Sequence, residues 1–226
     1  MATQRGIPIL WAASVALLFC SCASRRPVES SPVWAPTAAA GWEVRDIDTS
    51  ESPSWVVYER DAHVADVKAF RLVGIVDAEP DVVMRAVRER LLDARYMPKG
   101  LQWQVLQSSE SEIVVYGLMP APFPMRDREA TEHMVFSHDP STGVHRMDSR
   151  EVDTEEPVPR GALRIPVSRN TFVIAPHGEG QSVVTNDSVH DLGGGFPNWA
   201  IYGPVRKQLV EDLHIVQDLS VYHATP

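Results

Sequence analysis

The sequence predicts an α+β domain in which a curved antiparallel β-sheet wraps around a long C-terminal helix and leaves an internal hydrophobic cavity. Three observations carry this fold class. Apolar residues recur with period two through most of the chain after residue 41, one short helical pattern interrupts them, and a long one ends the chain. Trp42 to Asp48, Trp55 to Glu59, Val67 to Val76, Trp103 to Gln107 and Ile113 to Leu118 are rich in β-branched and aromatic residues and are predicted strands. Between the third and fourth, Pro80 opens a helix with Val83, Ala86, Val87, Leu91 and Ala94 on one face, and Pro98 ends it. Strands resume at Arg128 to Ser137, Val144 to Val152, Leu163 to Val167, Asn170 to Ala175 and Val183 to Val189. Turn clusters such as His138 to Gly143 and His177 to Gly180 separate them, which predicts an antiparallel meander. The last segment, Pro197 to about Tyr222, aligns Ile201, Val205, Leu209, Leu213 and Val216, and Gly203-Pro204 predicts that its regular part begins later. An amphipathic helix that closes a curved sheet buries one sheet face and encloses a cavity wherever large side chains do not fill the space.

With 226 residues, 44% of them hydrophobic and 23% charged, the composition is that of an ordinary globular protein. A net charge of −9 and no basic stripe exclude a phosphate-neutralising surface, so no nucleic-acid partner is expected. Cys20 and Cys22 lie too close together to staple the fold or to build a four-ligand zinc site. Arg5 followed by the apolar run Ile7 to Phe19 is a secretory signal pattern, too short for a membrane span and interrupted by Pro8. Phe19-Cys20-Ser21-Cys22 resembles the bacterial lipoprotein box, which implies cleavage before Cys22 and lipidation of its thiol; ordinary cleavage after Ala23 is the alternative. The expected organisation is a signal peptide over 1–21, a lipidated N-terminus and flexible linker over 22–41, and one domain over 42–226. In a Gram-negative source, Ala23 in place of an aspartate points to an outer-membrane lipoprotein facing the periplasm, in contact with the membrane through its anchor; a monomer is expected.

Two motifs lie inside the domain. Tyr116 precedes Pro122-Phe123-Pro124-Met125-Arg126-Asp127-Arg128-Glu129, and Asp191-Leu192-Gly193-Gly194-Gly195-Phe196-Pro197-Asn198-Trp199 precedes the last helix. Together they resemble the START (StAR-related lipid transfer) domains of the helix-grip superfamily. That family reads tyrosine, a spacer, Pro-Trp-Pro and Asp-Arg-Asp, then Asp-Pro-Gly-Gly, a spacer, proline and a tryptophan opening the last helix. The chain departs from it at Phe123, Glu129, Ala130 and Leu192, while order and spacing match over nearly all of 42–226. The resemblance implies a helix-grip fold and a START-like domain that binds, and transfers, a lipid or sterol-like ligand, with neither catalysis nor cofactor. The same superfamily implies an alternative, an enzyme of cyclase or hydrolase type acting on an apolar substrate. Export weighs against it, because cyclases that act on carrier-bound intermediates work in the cytoplasm.

A lipid cavity needs apolar walls and a few polar groups, and the wall candidates are Trp103, Tyr116, Phe123, Met134, Phe136, Trp199, Tyr202 and Leu209. Arg128 stands where the family has its Asp-Arg-Asp arginine and is the candidate polar anchor; an ion pair with Glu129, Glu132 or Asp127 is the competing reading. Prolines 120, 122 and 124 stiffen a loop whose Phe123 and Met125 are placed to cap the cavity or meet a membrane, a lid moving against Ile201 to Leu213. No Gly-x-Ser-x-Gly elbow or His-Glu-x-x-His pair occurs, and Gly193 to Gly195 lacks the Gly-Lys-Ser/Thr of a phosphate loop. The eight histidines are scattered, and alternation sends His190 and Asp191 to opposite faces of a strand end, which predicts a surface histidine. Neither a catalytic residue nor a metal site is expected.

Overall fold

The computed structural model describes residues 41–153, 158–159, 161–195 and 197–224. The signal peptide, Cys22 and all but the last residue of the linker lie outside the described residues. In chain order the elements are β1 (Glu43–Ile47), β2 (Trp55–Asp61), β3 (Lys68–Val76), α1 (Pro80–Leu92), β4 (Gln102–Ser108), β5 (Glu112–Met119), β6 (Asp127–Asp139), β7 (Val144–Glu151), β8 (Ala162–Arg164), β9 (Val167–Pro176), β10 (Ser182–Asp191) and α2 (Trp199–Ala224). The strands form one sheet in the order β1-β2-β3-β10-β9-β7-β6-β5-β4, with β8 attached to β6.

The helix-grip architecture is present, with three departures from the sequence reading. First, β6, β7, β9 and β10 follow one another as the expected antiparallel meander, but β10 also pairs antiparallel with β3, a pairing the sequence reading does not make, so the N-terminal and C-terminal strands meet in the middle of the sheet. Second, the predicted strand Leu163 to Val167 is split. Ile165 donates its N–H to the Glu129 carbonyl and Pro166 has no donor, so β8 runs parallel to β6 and the chain then crosses to start β9 beside β7 and β10. Third, the helix ends move. α1 stops at Leu92 because Asp93 turns to an extended conformation and its side chain accepts from the Arg95 N–H, opening a single 3-10 turn at Ala94–Tyr96. α2 starts at Trp199 and runs through Gly203-Pro204; at 1.5 Å per residue its 26 residues span about 39 Å.

Both helices pack on the concave face of the sheet. Leu72, Val115, Met134, Met147 and Ile174 from the strands meet Val83 and Val87 of α1 and Leu209, Leu213 and Val216 of α2 in one core. Gly74 lets α2 approach β3: a Cβ there would lie 2.5 Å from a Leu213 methyl. A smaller cluster of Trp42, Val56, Tyr58, Ala69 and Val73 covers the opposite face of β2 and β3. Among the described residues no helix is long and apolar enough to cross a membrane.

Candidate functional site

The core between sheet and α2 is not filled at one end. Two adjoining chambers remain, of about 370 Å³ and 220 Å³, sharing Trp103, Glu132, His190 and Gln208 as walls. The larger lies towards the start of α2 and is apolar, walled by Leu101, Met119, Ile165, Leu192, Ile201 and Val205. The smaller lies deeper, and its walls mix Leu91, Met134, Met147 and Leu209 with Asn170, Asn186 and Ser188. The larger alone falls within the roughly 300–1,000 Å³ usual for small-molecule sites.

Alternation explains the polar side. On β6, residues 128, 130, 132 and 134 share a parity, and Glu132 follows Arg128 and Ala130 onto the cavity wall. On β10, Asn186, Ser188 and His190 line the cavity in the same way, and His190 sits opposite Ser168 of β9. Hydrogen bonds then join four strands. The Ser149 hydroxyl donates to Glu132 Oε2 at 2.9 Å and the Ser168 hydroxyl to Oε1 at 2.6 Å. Having donated its only proton, Ser168 Oγ is left to accept from His190 Nδ1–H at 3.2 Å, so Nε2 accepts from the Ser188 hydroxyl at 2.8 Å. His190 therefore lines the cavity and is not the surface group the sequence reading expects. Burial holds its pKa below the ordinary histidine range, against the pull of the Glu132 and Glu151 carboxylates. A base whose pKa is lowered by folding stays neutral in the native state while the unfolded chain takes up a proton. Stability is thus expected to be lost as pH falls from about 6.5 towards the lowered value. Urea melts across this window should show that slope in the native protein and lose His190's share of it in His190→Gln; equal slopes would reject the assignment.

Farther in, Arg90 of α1 pairs with Asp212 of α2 at the cavity wall, and Gln208 Nε2 donates to the same carboxylate at 2.7 Å. Burial pushes the Asp212 carboxyl above its usual range, in spite of Arg90 and Gln208. Two buried polar atoms of this inner chamber make no hydrogen bond within the protein: Asn186 Oδ1, an acceptor, and Arg90 Nε, a donor.

The nine nominated residues separate. Trp103, Arg128, Met134 and Leu209 line the cavity, and Trp103 is fixed by donation from its indole N–H to the Leu91 carbonyl at 2.8 Å. Phe136 and Tyr202 pack against the core, Phe136 beneath the Arg88 guanidinium and Tyr202 edge-on to Phe70. Tyr116 has the opposite parity to the core residues Ile113 and Val115, and its side chain is on the other face of β5, near Glu129 and Arg164. Phe123 is 97% exposed and Trp199 74%. Both stand at the end of the sheet where β5 finishes and α2 begins, the end at which the apolar chamber lies.

Arg128 is 2% exposed, and backbone carbonyls accept hydrogen bonds from its guanidinium. Glu129 takes Arg164 at 2.7 Å and Glu132 takes the two serines, while the Arg128 guanidinium donates to the carbonyls of Leu192 (2.9 Å), Gly193 (3.3 Å) and Arg126. Gly193, Gly194 and Gly195 all have φ between +63° and +70°, a conformation costly for any other residue. The arginine thus ties the start of β6 to the glycine turn that seats α2.

No protein-family model matches the chain. Over 128 residues, 55% of its length, it is 31% identical to StAR-related lipid transfer protein 13 of Homo sapiens, and it spans 11% of that curated relative. Its fold is similar to a solved STAR-related lipid transfer protein from Xanthomonas axonopodis (TM-score 0.66, 20% identity, 80% of this chain and 99% of that one). It is equally similar to human StAR-related lipid transfer protein 5 (TM-score 0.66, 14% identity, 82% and 89%). The chain therefore has the START helix-grip fold, and over half its length its sequence resembles a START protein.

Proposed function

We propose that the chain binds, and carries between membranes, a lipid or sterol-like molecule whose apolar body fills the outer chamber and whose small polar end reaches the inner one. The observation that carries this is the graded cavity: an apolar chamber of about 370 Å³ adjoining a more polar one walled in part by Asn170, Asn186, Ser188 and Gln208. A hydroxyl or amide suits such a wall, since it can accept and donate at once. A phosphate fits poorly beside Glu132 and Asp212, with Arg90 already engaged. The names of the similar proteins, lipid transfer proteins, support the same reading.

The enzyme alternative has one observation in its favour, the Ser188–His190–Ser168–Glu132 chain. A nucleophilic Ser188 would need oxyanion donors, and the backbone N–H groups around it lie in the ladders to β3 and β9. We therefore read the chain of hydrogen bonds as a cavity wall. Its address we take from the sequence: export, and a lipid on Cys22 that tethers the domain to the envelope membrane it serves.

The test uses the full-length protein. Organic extraction followed by mass spectrometry is expected to release a neutral lipid, and a fluorescent sterol should bind the extracted protein. Val205→Trp, which fills the mouth, should weaken sterol binding at least about tenfold, or about 1.4 kcal/mol, with little change in melting temperature. Extraction that yields nothing, together with no sterol binding, would overturn the proposal. Envelope fractionation of Cys22→Ala tests the address: equal membrane retention without acyl chains would reject the anchor.

A further inference from the structure

At the other end of the concave face, away from the cavity, three groups distant in sequence converge. His138 near the end of β6 and His145 near the start of β7 are a directly opposed cross-strand pair, and their imidazoles stack with centroids 4.1 Å apart and planes 13° from parallel. Asp81, in the first turn of α1, reaches them from above: its Oδ1 lies 2.7 Å from His145 Nε2. One donor atom from each of the three side chains lies within 4.8 Å of the other two.

We infer that Asp81, His138 and His145 form a binding site for a zinc-like divalent transition-metal ion, which would pin the start of α1 to the β6–β7 hairpin. The donor set decides the class of ion. Two imidazoles and one carboxylate suit zinc and its late first-row neighbours, whereas calcium and magnesium need a shell built of oxygens. Four-coordinate zinc with ligands near 2.0–2.1 Å holds its donors about 3.3 Å apart, so rotations about the exposed Asp81 and His138 side chains are enough to close the triad. Water completes the fourth position. The ion would take the place of the proton that joins His145 Nε2 to Asp81 Oδ1, and in the neutral ring that proton moves to Nδ1, leaving the Nε2 lone pair for the metal.

The backbone supports the site independently of the ion. The hairpin turn between the histidines is tied by Asp139, whose carboxylate accepts from Ser141 and Thr142, and α1 packs against β7 and β9. The site is therefore carried on ordered strands and a helix, not on a loose loop.

Isothermal titration of full-length protein without a polyhistidine tag, with zinc chloride at pH 7.5, should show one ion bound in the micromolar range. Zinc should also raise the melting temperature, because the ion binds the folded chain. A large excess of calcium should displace none of it. His138→Ala and Asp81→Asn alter exposed groups and should melt like the parent without metal, yet each should lose at least about tenfold in zinc affinity together with the zinc-dependent rise in melting temperature. Absence of zinc binding would overturn the inference. So would binding that survives in both variants, since the ion would then be held elsewhere.

Discussion

Asp212→Asn is expected to destabilise the domain by about 3–5 kcal/mol, a large part of the roughly 5–15 kcal/mol that holds a domain of this kind together. The side chains of Arg90 and Asp212 are only 10% and 12% exposed, and they join the two helices across the cavity wall. The substitution keeps the volume of Asp212 and removes only its charge, so the cost is that of a buried guanidinium left without its counter-charge. In a domain of this size about 1 kcal/mol moves the melting temperature by about 2–4 °C, so a fall of roughly 10 °C is expected. The pair is not a net stabiliser on that account. Burial raises the Asp212 pKa even with Arg90 in contact, which means that the fold makes this carboxyl harder to ionise than the unfolded chain does. Arg90→Met with Asp212→Leu should therefore melt within about 1 kcal/mol of the parent, or above it. If the compensated protein is as unstable as the single variant, packing and not charge is what Asp212 supplies. Sterol binding separates structure from function again: the double variant should fold but bind a hydroxylated ligand less well, because two polar side chains have gone from the wall of the inner chamber.

Period two along the strands and period three and four along Val83 to Leu91 and Ile201 to Val216 are local properties, so elements and burying faces could be read from them. Pairings between distant segments are not local. Nothing in either strand announces that β3 meets β10, roughly a hundred residues on, and the expected meander, which holds from β6 through β7 and β9 to β10, leaves that closure unstated. Parity carried more of the site than was drawn from it. Tyr116 alternates against Ile113 and Val115, which places its side chain off the core face, and Asn186, Ser188 and His190 share the parity of buried Val184. A strand whose inward positions turn from apolar to polar marks a wet cavity end, yet the same His190 read alone is a surface histidine. Trp103, Met134 and Leu209 were within reach because large apolar residues on core parity have few other places to go. Phe123 and Trp199 followed from motif resemblance, and their exposure depends on loop geometry that no periodicity encodes. Asp81 with His138 and His145 is the extreme case: one helix turn and two strands must be placed before the triad exists at all.

Arg128→Met is expected to cost about 2–4 kcal/mol of stability, because hydrogen bonds from a charged donor are worth about 1.5–3 kcal/mol and the carbonyls of Leu192, Gly193 and Arg126 would lose theirs. Lysine should restore little of this, since a single ammonium cannot reproduce the planar fork that reaches both sides of the turn. The turn has little tolerance of its own. Gly193, Gly194 and Gly195 are all left-handed, and a Cβ at Gly194 would fall 2.5 Å from a Leu163 methyl, so the chain there is held by glycine and by the arginine together. The three roles open to Arg128 make different forecasts. If it were half of an ion pair with Glu132, Arg128→Met combined with Glu132→Gln would recover the lost stability. As a clamp on backbone carbonyls it will not, because Glu132 already has Ser149 and Ser168 and the glycine turn still lacks its donors. If it were chiefly a ligand anchor, ligand-free Arg128→Met would melt as the parent does and fail only in binding. For the clamp, ligand-free protein should already show the loss, and sterol exchange should become faster, since α2 begins at this turn and its Ile201 and Val205 wall the mouth of the cavity. Parent-like melting combined with lost binding would return Arg128 to the role of head-group anchor.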